Sequence, residues 1–434
     1  MPLSMKTISC ASAFAILFAT CAPISAQTGI SGAWRVEGVG PGPWTLVLRV
    51  DGPRLTGRVS SCTSLPVEIY EGSVDRNTIT FKCKSLDADR IVTFTGKING
   101  DEIVFTWGKQ VRDGGAPLPA RGSLADADTG AYGMFDASTP PQFTAKRVPN
   151  GGAEFAAAVN LLQKGVKVEG TFFLPQNVNR VRSVIVVVNF GLGGAFYYDP
   201  QLRKLSETLE SGLLHATISN IGQSGQTDVV RNAGVGGADG LLLLLERLAQ
   251  ESGHRELTDA PLLLWGHSAA GSFVSTFAAL HPQRTIAFVR YHSAGAGLLD
   301  VNIKVLSQLP ALLLVAGTDP QSGIRDAETS WKNGRSAGAP WTFAVEPDAK
   351  HGDPKDLDKA NELLVPWITA VVRQRRPPDR KTLRAVTDGF GWMGNNRTGE
   401  GALYAAYPGS KAEASWLPDQ ASLRAWQTIL GAAK

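Results

Sequence analysis

Between Gly29 and about Val111, apolar and polar residues alternate in short runs: "GAWRVEGV", "WTLVLRVDG", "RLTGRVSS", "NTITFKCK", "RIVTFTGKING" and "DEIVFTW". A period of two puts successive side chains on opposite faces of a strand, and the intervening Asp-Gly and Asn-Gly pairs suit tight antiparallel hairpins. The pattern predicts a small all-β sandwich or barrel over residues 27–111. Residues 112–154, rich in Gly, Pro, Ala and Asp, read as a linker that wraps the next domain.

From about residue 155 the period changes. "SVIVVVNFG", "APLLLWG" and "PALLLVAGTDP" are unbroken apolar runs, the mark of strands buried on both faces of a parallel sheet. Around them, "PQLRKLSETLESG", "GADGLLLLLERLAQES" and "LDKANELLVPWITAVVRQR" repeat apolar residues at helical spacing. Strands alternating with helices over residues 155–375 predict a doubly wound, mostly parallel α/β sheet with helices on both faces. A basic, Pro-containing stretch, "RQRRPPDRK", then leads into a C-terminal extension, residues 376–434. Its Trp392, Tyr404, Tyr407, Trp416 and Trp426 need apolar surface to cover, and packing on the α/β domain is expected.

Composition narrows the function classes. Hydrophobic residues make up 43% and charged residues 19%, a globular balance. The formal net charge of +4 is dispersed without a basic stripe, which argues against nucleic acid as a partner. At the N-terminus, Lys6, an apolar run from Ile8 to Ala19 and the small pair Ser25-Ala26 read as a secretory signal, residues 1–26, cleaved near Ala26. The expected location is therefore secreted or periplasmic. No run reaches the ~20 apolar residues of a membrane-spanning helix, so no stable membrane span is expected. After cleavage only Cys62 and Cys83 remain. In an oxidising compartment they are expected to form a disulfide worth about 3 kcal/mol, the alternative being two separate buried thiols. They lack Cys-x-x-Cys or paired-His spacing, so no metal site is expected. A carbohydrate or cell-wall surface is one target considered for the β domain.

The chemistry centres on "PLLLWGHSAAGS", Pro261 to Ser272. A strand, a sharp turn of small residues and then a helix is the setting that holds a serine up as a nucleophile. A structural serine at a helix start is the bland alternative. A serine hydroxyl needs a base to accept its proton, and the base needs a third group to hold its ring. Among His215, His254, His267, His281, His292 and His351, only His351 follows the late strands, in "PDAKHGD". Asp319 ends the run "ALLLVAGTDP", at a strand tip where ligand sites of open α/β sheets lie. Ser268, Asp319 and His351 are thus the predicted nucleophile, orienting acid and base, with Asp326, Asp348 and Asp353 as fallback acids. Acyl transfer also needs N–H groups facing the developing oxyanion. Ala269 is one candidate, and Gly191 and Leu192 in the glycine-rich turn "NFGLGG" are the others. His267, Phe190, Tyr197 and Tyr198 are candidate pocket-lining residues, His267 being expected to pack or orient. His292 is read as a core histidine or pocket wall. The "GLGG" turn lacks both the Lys-Ser/Thr pair of a phosphate loop and dinucleotide spacing, and no cofactor is expected.

In this order, "FGLGG", "GHSAAG", "GTDP" and "KHGD" resemble the α/β-hydrolase superfamily over roughly residues 155–375. Within it, the chain looks similar to secreted bacterial esterases of the feruloyl esterase, polyhydroxybutyrate depolymerase and dienelactone hydrolase types. The resemblance implies cofactor-free hydrolysis of a small-molecule or polymer-linked ester through an acyl-enzyme on Ser268. Ala270 stands where the family's second glycine is usual, and the flanking segments lie outside the resemblance. Two other readings stay open. One is a serine peptidase of the prolyl-oligopeptidase type, whose β-propeller the short N-terminal segment cannot form; the other is a non-catalytic binding protein on a hydrolase scaffold.

Overall fold

The computed structural model describes residues 30–36, 44–61, 67–84, 90–108, 111–112, 142–148, 152–188, 190–221, 231–294, 302–319, 323–353, 356–376 and 382–431. The expected signal segment lies outside them. The alternating runs form β1 (Gly32–Val36), β2 (Trp44–Asp51), β3 (Arg54–Ser61), β4 (Val67–Asp75), β5 (Thr78–Lys84), β6 (Arg90–Asn99) and β7 (Glu102–Trp107), followed by β8 (Val111–Arg112) and β9 (Gln142–Arg147). Antiparallel pairing in the order β5-β4-β3-β2-β1-β9-β7-β6, with β5 also paired to β6, closes an eight-stranded barrel; β8 hangs on β6. Inward residues of every strand fill it: Trp34, Trp44, Leu46, Leu55, Ile69, Ile79, Phe81, Phe94, Phe105 and Phe143 are buried. Phe81 stacks on Phe94 at 5.1 Å and Phe105 on Phe143 at 5.4 Å. An eight-stranded barrel is just wide enough for side chains to fill, and the described inward residues form one apolar cluster within it.

Two expectations change here. Residues 142–147 fall in the stretch expected to be linker, yet β9 sits between β1 and β7 and completes the ring, its Phe143 and Ala145 facing the core. Without it, two strand edges would stay open. The expected Cys62–Cys83 bridge is not observed. Cys83 is free and points from β5 into the apolar core, where burial raises its thiol pKa. Cys62 lies outside the described residues.

The second half begins with β10 (Gly152–Leu161), β11 (Val166–Pro175) and β12 (Ser183–Val188), then α1 (Gly193–Tyr197), α2 (Pro200–Thr208), β13 (Ser211–Asn220) and α3 (Gly237–Ser252). It continues with β14 (Leu262–His267), α4 (Ala270–Leu280), β15 (Thr285–Tyr291), α5 (Ile303–Leu306), β16 (Ala311–Ala316), α6 (Ile324–Ser336), β17 (Trp341–Glu346) and α7 (Asp356–Arg375). The eight strands follow the order β10-β11-β13-β12-β14-β15-β16-β17, antiparallel up to β13 and parallel from β13 to β17. The unbroken apolar runs follow from the two covered faces. On β12, Val184, Val186 and Val188 join the core under α3 and α4, while Ile185 and Val187 join the opposite core with α2 and α7. The winding direction reverses at the neighbouring strands β12 and β14. Ligand sites of such sheets lie at that crevice, beyond the carboxyl ends.

The extension adds β18 (Trp392–Gly394), β19 (Gly401–Leu403), β20 (Ser415–Leu417) and α8 (Gln420–Ile429). Its aromatics cover the β17 edge of the sheet, where a bare strand would expose backbone groups to other chains. The Phe343 carbonyl accepts from Trp426 Nε1 at 2.8 Å and from Asn396 Nδ2 at 2.9 Å, while the Phe343 N–H donates to Ser415 Oγ at 2.9 Å. From α6, the buried Arg335 donates to the Ala414 and Lys411 carbonyls at 2.9 and 2.8 Å. Trp416 and Trp426 are wholly buried, so this segment is part of the α/β core.

Trp426→Ala is expected to lose about 3–5 kcal/mol in chemical denaturation, and Trp426→Phe, which gives up mainly the indole hydrogen bond, about 1 kcal/mol. An unchanged midpoint for Trp426→Ala would place the extension outside the cooperative unit. Where the barrel meets the sheet, burial and the nearby Arg58 push the His215 imidazole down to about 4. The unfolded chain then binds the extra proton between about pH 6.5 and 4, so stability falls as pH drops through that window. His215→Phe should remove about 3 kcal/mol of that acid-induced loss, read from denaturation midpoints at pH 7 and pH 4.

Candidate active site

β14 carries its apolar run to His267, Ser268 and Ala269 make the turn, and α4 starts at Ala270. Ser268 has φ +53°, the left-handed region that a non-glycine residue enters only when its surroundings force it. The neighbouring small residues show what forces it. A Cβ on Gly266 would lie 2.3 Å from the Ala270 carbonyl oxygen, and one on Gly271 would lie 2.3 Å from Ser293 Oγ. Ala270 is buried with its methyl accommodated, so close packing is required at Gly271 and not at Ala270.

The turn delivers Ser268 to a hydrogen-bonded line. Its Oγ lies 2.8 Å from His351 Nε2, and His351 Nδ1 lies 2.5 Å from Asp319 Oδ2. Asp319 follows β16 with its side chain 3% exposed, and His351 follows β17 at 27%. The two loops are stitched together. Thr318 N–H donates to the Ala349 carbonyl at 3.1 Å and its hydroxyl does so at 2.7 Å, while Gly317 N–H donates to the Glu346 carbonyl at 2.8 Å. A Cβ on Gly317 would meet the Pro347 carbonyl at 2.4 Å, which explains glycine there. Asp319, and not the fallback acids Asp326, Asp348 or Asp353, takes His351 Nδ1.

Of the expected oxyanion donors, Ala269 sits at the start of α4, and its N–H makes no hydrogen bond to the described residues. Leu192 is corrected. Its N–H faces His267 Nδ1 at 3.3 Å and the residue is wholly buried. The opposite ring nitrogen, His267 Nε2, lies 2.6 Å from the His351 carbonyl oxygen. A carbonyl only accepts, so Nε2 carries the ring proton and Nδ1 offers the lone pair that Leu192 engages. Burial and the neighbouring His292 and His351 hold the His267 pKa well below the usual imidazole range, keeping the ring neutral. Gly191 stays a candidate donor. Its φ is +54°, and a Cβ there would lie 2.1 Å from His267 Nδ1.

His267 therefore orients three segments and does not act as a base. Phe190 is half-buried beside it and packs on the α3/α4 core. Tyr197 and Tyr198, expected to border the pocket, are buried at the C-terminal end of α1. Tyr197 stacks on His215 at 5.3 Å, and the Arg203 guanidinium lies over both tyrosine rings at 5.2 and 5.1 Å, next to barrel residues Val47 and Arg58. They serve the contact between domains.

Sequence reasoning missed Glu346 and left His292 undecided. His292 lies beside the site with Nδ1 3.1 Å from the His351 carbonyl oxygen and Nε2 2.8 Å from Glu346 Oε2. A glutamate ending the buried strand "WTFAVE" was the available signal. Beneath α4, the fully buried Arg290 donates to Ser275 and Ser293 hydroxyls at 3.1 and 3.0 Å, and burial lowers its guanidinium to about 9. Among the described residues, no group of three or more His, Cys, Asp or Glu side chains could hold a metal ion, and no helix is long and apolar enough to cross a membrane.

The tight fit of Gly191 against His267 yields a direct check. Gly191→Ala should displace the imidazole and lower any turnover that depends on Ser268 at least tenfold with the circular dichroism spectrum unchanged, since misplacement by about 1 Å costs on the order of 10²-fold. Full activity in this variant would show that the loop tolerates the methyl and that its contact with His267 is incidental.

No protein-family model matches the chain, and no curated protein is similar to it in sequence. Among solved structures, similarity is found to an acylaminoacyl peptidase of Pyrococcus horikoshii, at 9% identity over 80% of this chain with a TM-score of 0.42. The chain spans 64% of that peptidase. A ferulic acid esterase is similar at 13% identity over 51% of this chain and all of its own length, TM-score 0.41. A dienelactone hydrolase of Anabaena variabilis is similar at 19% identity over 50% of this chain and 97% of its own, TM-score 0.35. Independently of these likenesses, the strand order, the covered parallel sheet and the strand–turn–helix around Ser268 give residues 152–376 the α/β-hydrolase fold.

Proposed function

We propose that the protein is a serine hydrolase that cleaves carboxylic esters through a covalent acyl-enzyme. The observation that carries this reading is the Ser268–His351–Asp319 line, 2.8 and 2.5 Å long, with the serine in a left-handed turn at the sheet's carboxyl edge. A hydroxyl is a weak nucleophile until a neighbouring base takes its proton. His351 Nε2 is placed to do so as Ser268 Oγ attacks the acyl carbonyl. Asp319 accepts the hydrogen bond from Nδ1–H, which fixes the tautomer and favours the imidazolium that forms. The tetrahedral oxyanion is met by the Ala269 N–H, with an N–H of the Gly191 turn as second donor. Collapse breaks the bond to the leaving alkoxide, which takes the proton from His351. Water then attacks the acyl-enzyme, His351 accepting its proton and returning it to Ser268.

The same groups serve amide cleavage, so a serine peptidase is the second reading. The ester reading is preferred because the N-terminal domain is one small, filled barrel and not the propeller carried by prolyl-oligopeptidase-type enzymes. A small-molecule or polymer-linked ester is the proposed substrate class, and residues 1–26 support a secreted or periplasmic location.

A panel of p-nitrophenyl esters run beside peptide anilides separates the readings. Ser268→Ala should lower kcat on esters by at least ~10³-fold, and Asp319→Asn, which imposes the wrong imidazole tautomer, by ~10²–10⁴-fold. Anilide turnover without ester turnover would favour the peptidase. Equal rates for wild type and Ser268→Ala would point to a binding protein.

A further inference from the structure

Next to the Ser268 line lies a second histidine–carboxylate pair. His292 follows β15 at φ +45°, its N–H donating to the Leu314 carbonyl at 2.7 Å and its ring stacked on Tyr291 at 3.8 Å. Both His292 and Glu346 have wholly inaccessible side chains and lie 2.8 Å apart, Nε2 to Oε2. The other nitrogen, Nδ1, is 3.1 Å from the His351 carbonyl oxygen. Because that oxygen only accepts, Nδ1 must carry a proton, and the pair shares one further proton between Nε2 and Oε2. Burial raises the Glu346 carboxyl, which works against loss of that shared proton. His267 Nε2–H meets the same carbonyl at 2.6 Å, so two buried imidazoles hold the main chain of the half-exposed His351.

We propose that His292 and Glu346 are positioning residues for the base, fixing His351 through its main-chain carbonyl so that its ring stays between Ser268 and Asp319. The proposal rests on the reading of Ser268 as nucleophile and His351 as base. It explains why a loop histidine reaches hydrogen-bond geometry on both sides before any substrate binds, and why a glutamate ends a buried strand.

The test uses two replacements of one ring. In His292→Asn the side-chain amide falls near the former Nδ1 and keeps a donor toward the carbonyl. In His292→Gln the amide reaches the former Nε2, keeping the contact with Glu346 and removing the donor from position 292, so that the carbonyl keeps only His267 Nε2–H. With p-nitrophenyl esters on the full chain, His292→Asn should stay within about threefold of wild-type kcat and His292→Gln should fall about 10–100-fold, as expected for loss of alignment. KM should change by less than about twofold in both, because neither residue is placed on the substrate. Equal kcat for the two variants, or a loss confined to KM, overturns the proposal. If either substitution at 292 unfolds the protein by thermal melting, Glu346→Gln, which can donate to Nε2 and preserve Nδ1–H, is compared with Glu346→Met, which cannot; equal kcat there likewise overturns it. Ser268→Ala in the same assay keeps the two failures apart. If it is as active as wild type, the hydrolase reading fails, whereas an inactive Ser268→Ala beside equal His292 variants sinks only the positioning role.

Discussion

The His267 imidazole ties together three of the segments that build the site, the Ser268 turn, the glycine turn and the His351 loop. It precedes Ser268 in the chain, accepts from the Leu192 N–H of the glycine turn and donates to the carbonyl of His351. A neutral imidazole has one donor and one acceptor, and both are used. The arrangement works only while the ring is uncharged, and burial among other histidines secures that. The left-handed Gly191, which no Cβ could share with this ring, is a local consequence of the same contact.

That ring can be held only by a rigid frame. The parallel strands are apolar on both faces because helices cover both, and each buried aliphatic or aromatic side chain contributes about 1.5–3 kcal/mol. The sheet's vulnerable side is the β17 edge, from which the loop bearing His351 departs. The C-terminal extension closes that edge through Trp426, Ser415 and Asn396. The extension thus steadies the strand from which the loop bearing the base departs. On the other side, the barrel docks through α1, where Tyr197 and Tyr198 pack around Arg203.

Some of this was legible in the sequence. The Ser268 turn could be read because strand, small residues and helix follow one another locally, and Asp319 and His351 because the chemistry demands an acid and a base and the resemblance to α/β-hydrolases implies the order in which they follow the serine. Contacts that depend on tertiary direction could not be read. Leu192 stood in the right loop, but only the His267 ring decides where its N–H points. Tyr197 and Tyr198 were near the glycine turn in sequence, but their rings pack on His215 and Arg203, contacts that sequence spacing does not reveal. β9 is six residues in a Gly- and Pro-rich stretch, and its pairing with β1 spans more than a hundred residues. Alternation in "TITFKCK" already placed Cys83 on the same face as Ile79 and Phe81, so its inward burial was legible where a bridge was expected.

The account stands on Ser268 forming a covalent bond with the acyl group. Intact-mass spectrometry of the protein quenched during turnover of a slowly deacylating p-nitrophenyl ester, followed by peptide mapping, reads that bond directly. The account predicts a mass increase equal to one acyl group, located on the peptide containing Ser268 and absent from Ser268→Ala. Burst release of p-nitrophenol with no adduct on that peptide, or an adduct on another residue, would contradict it.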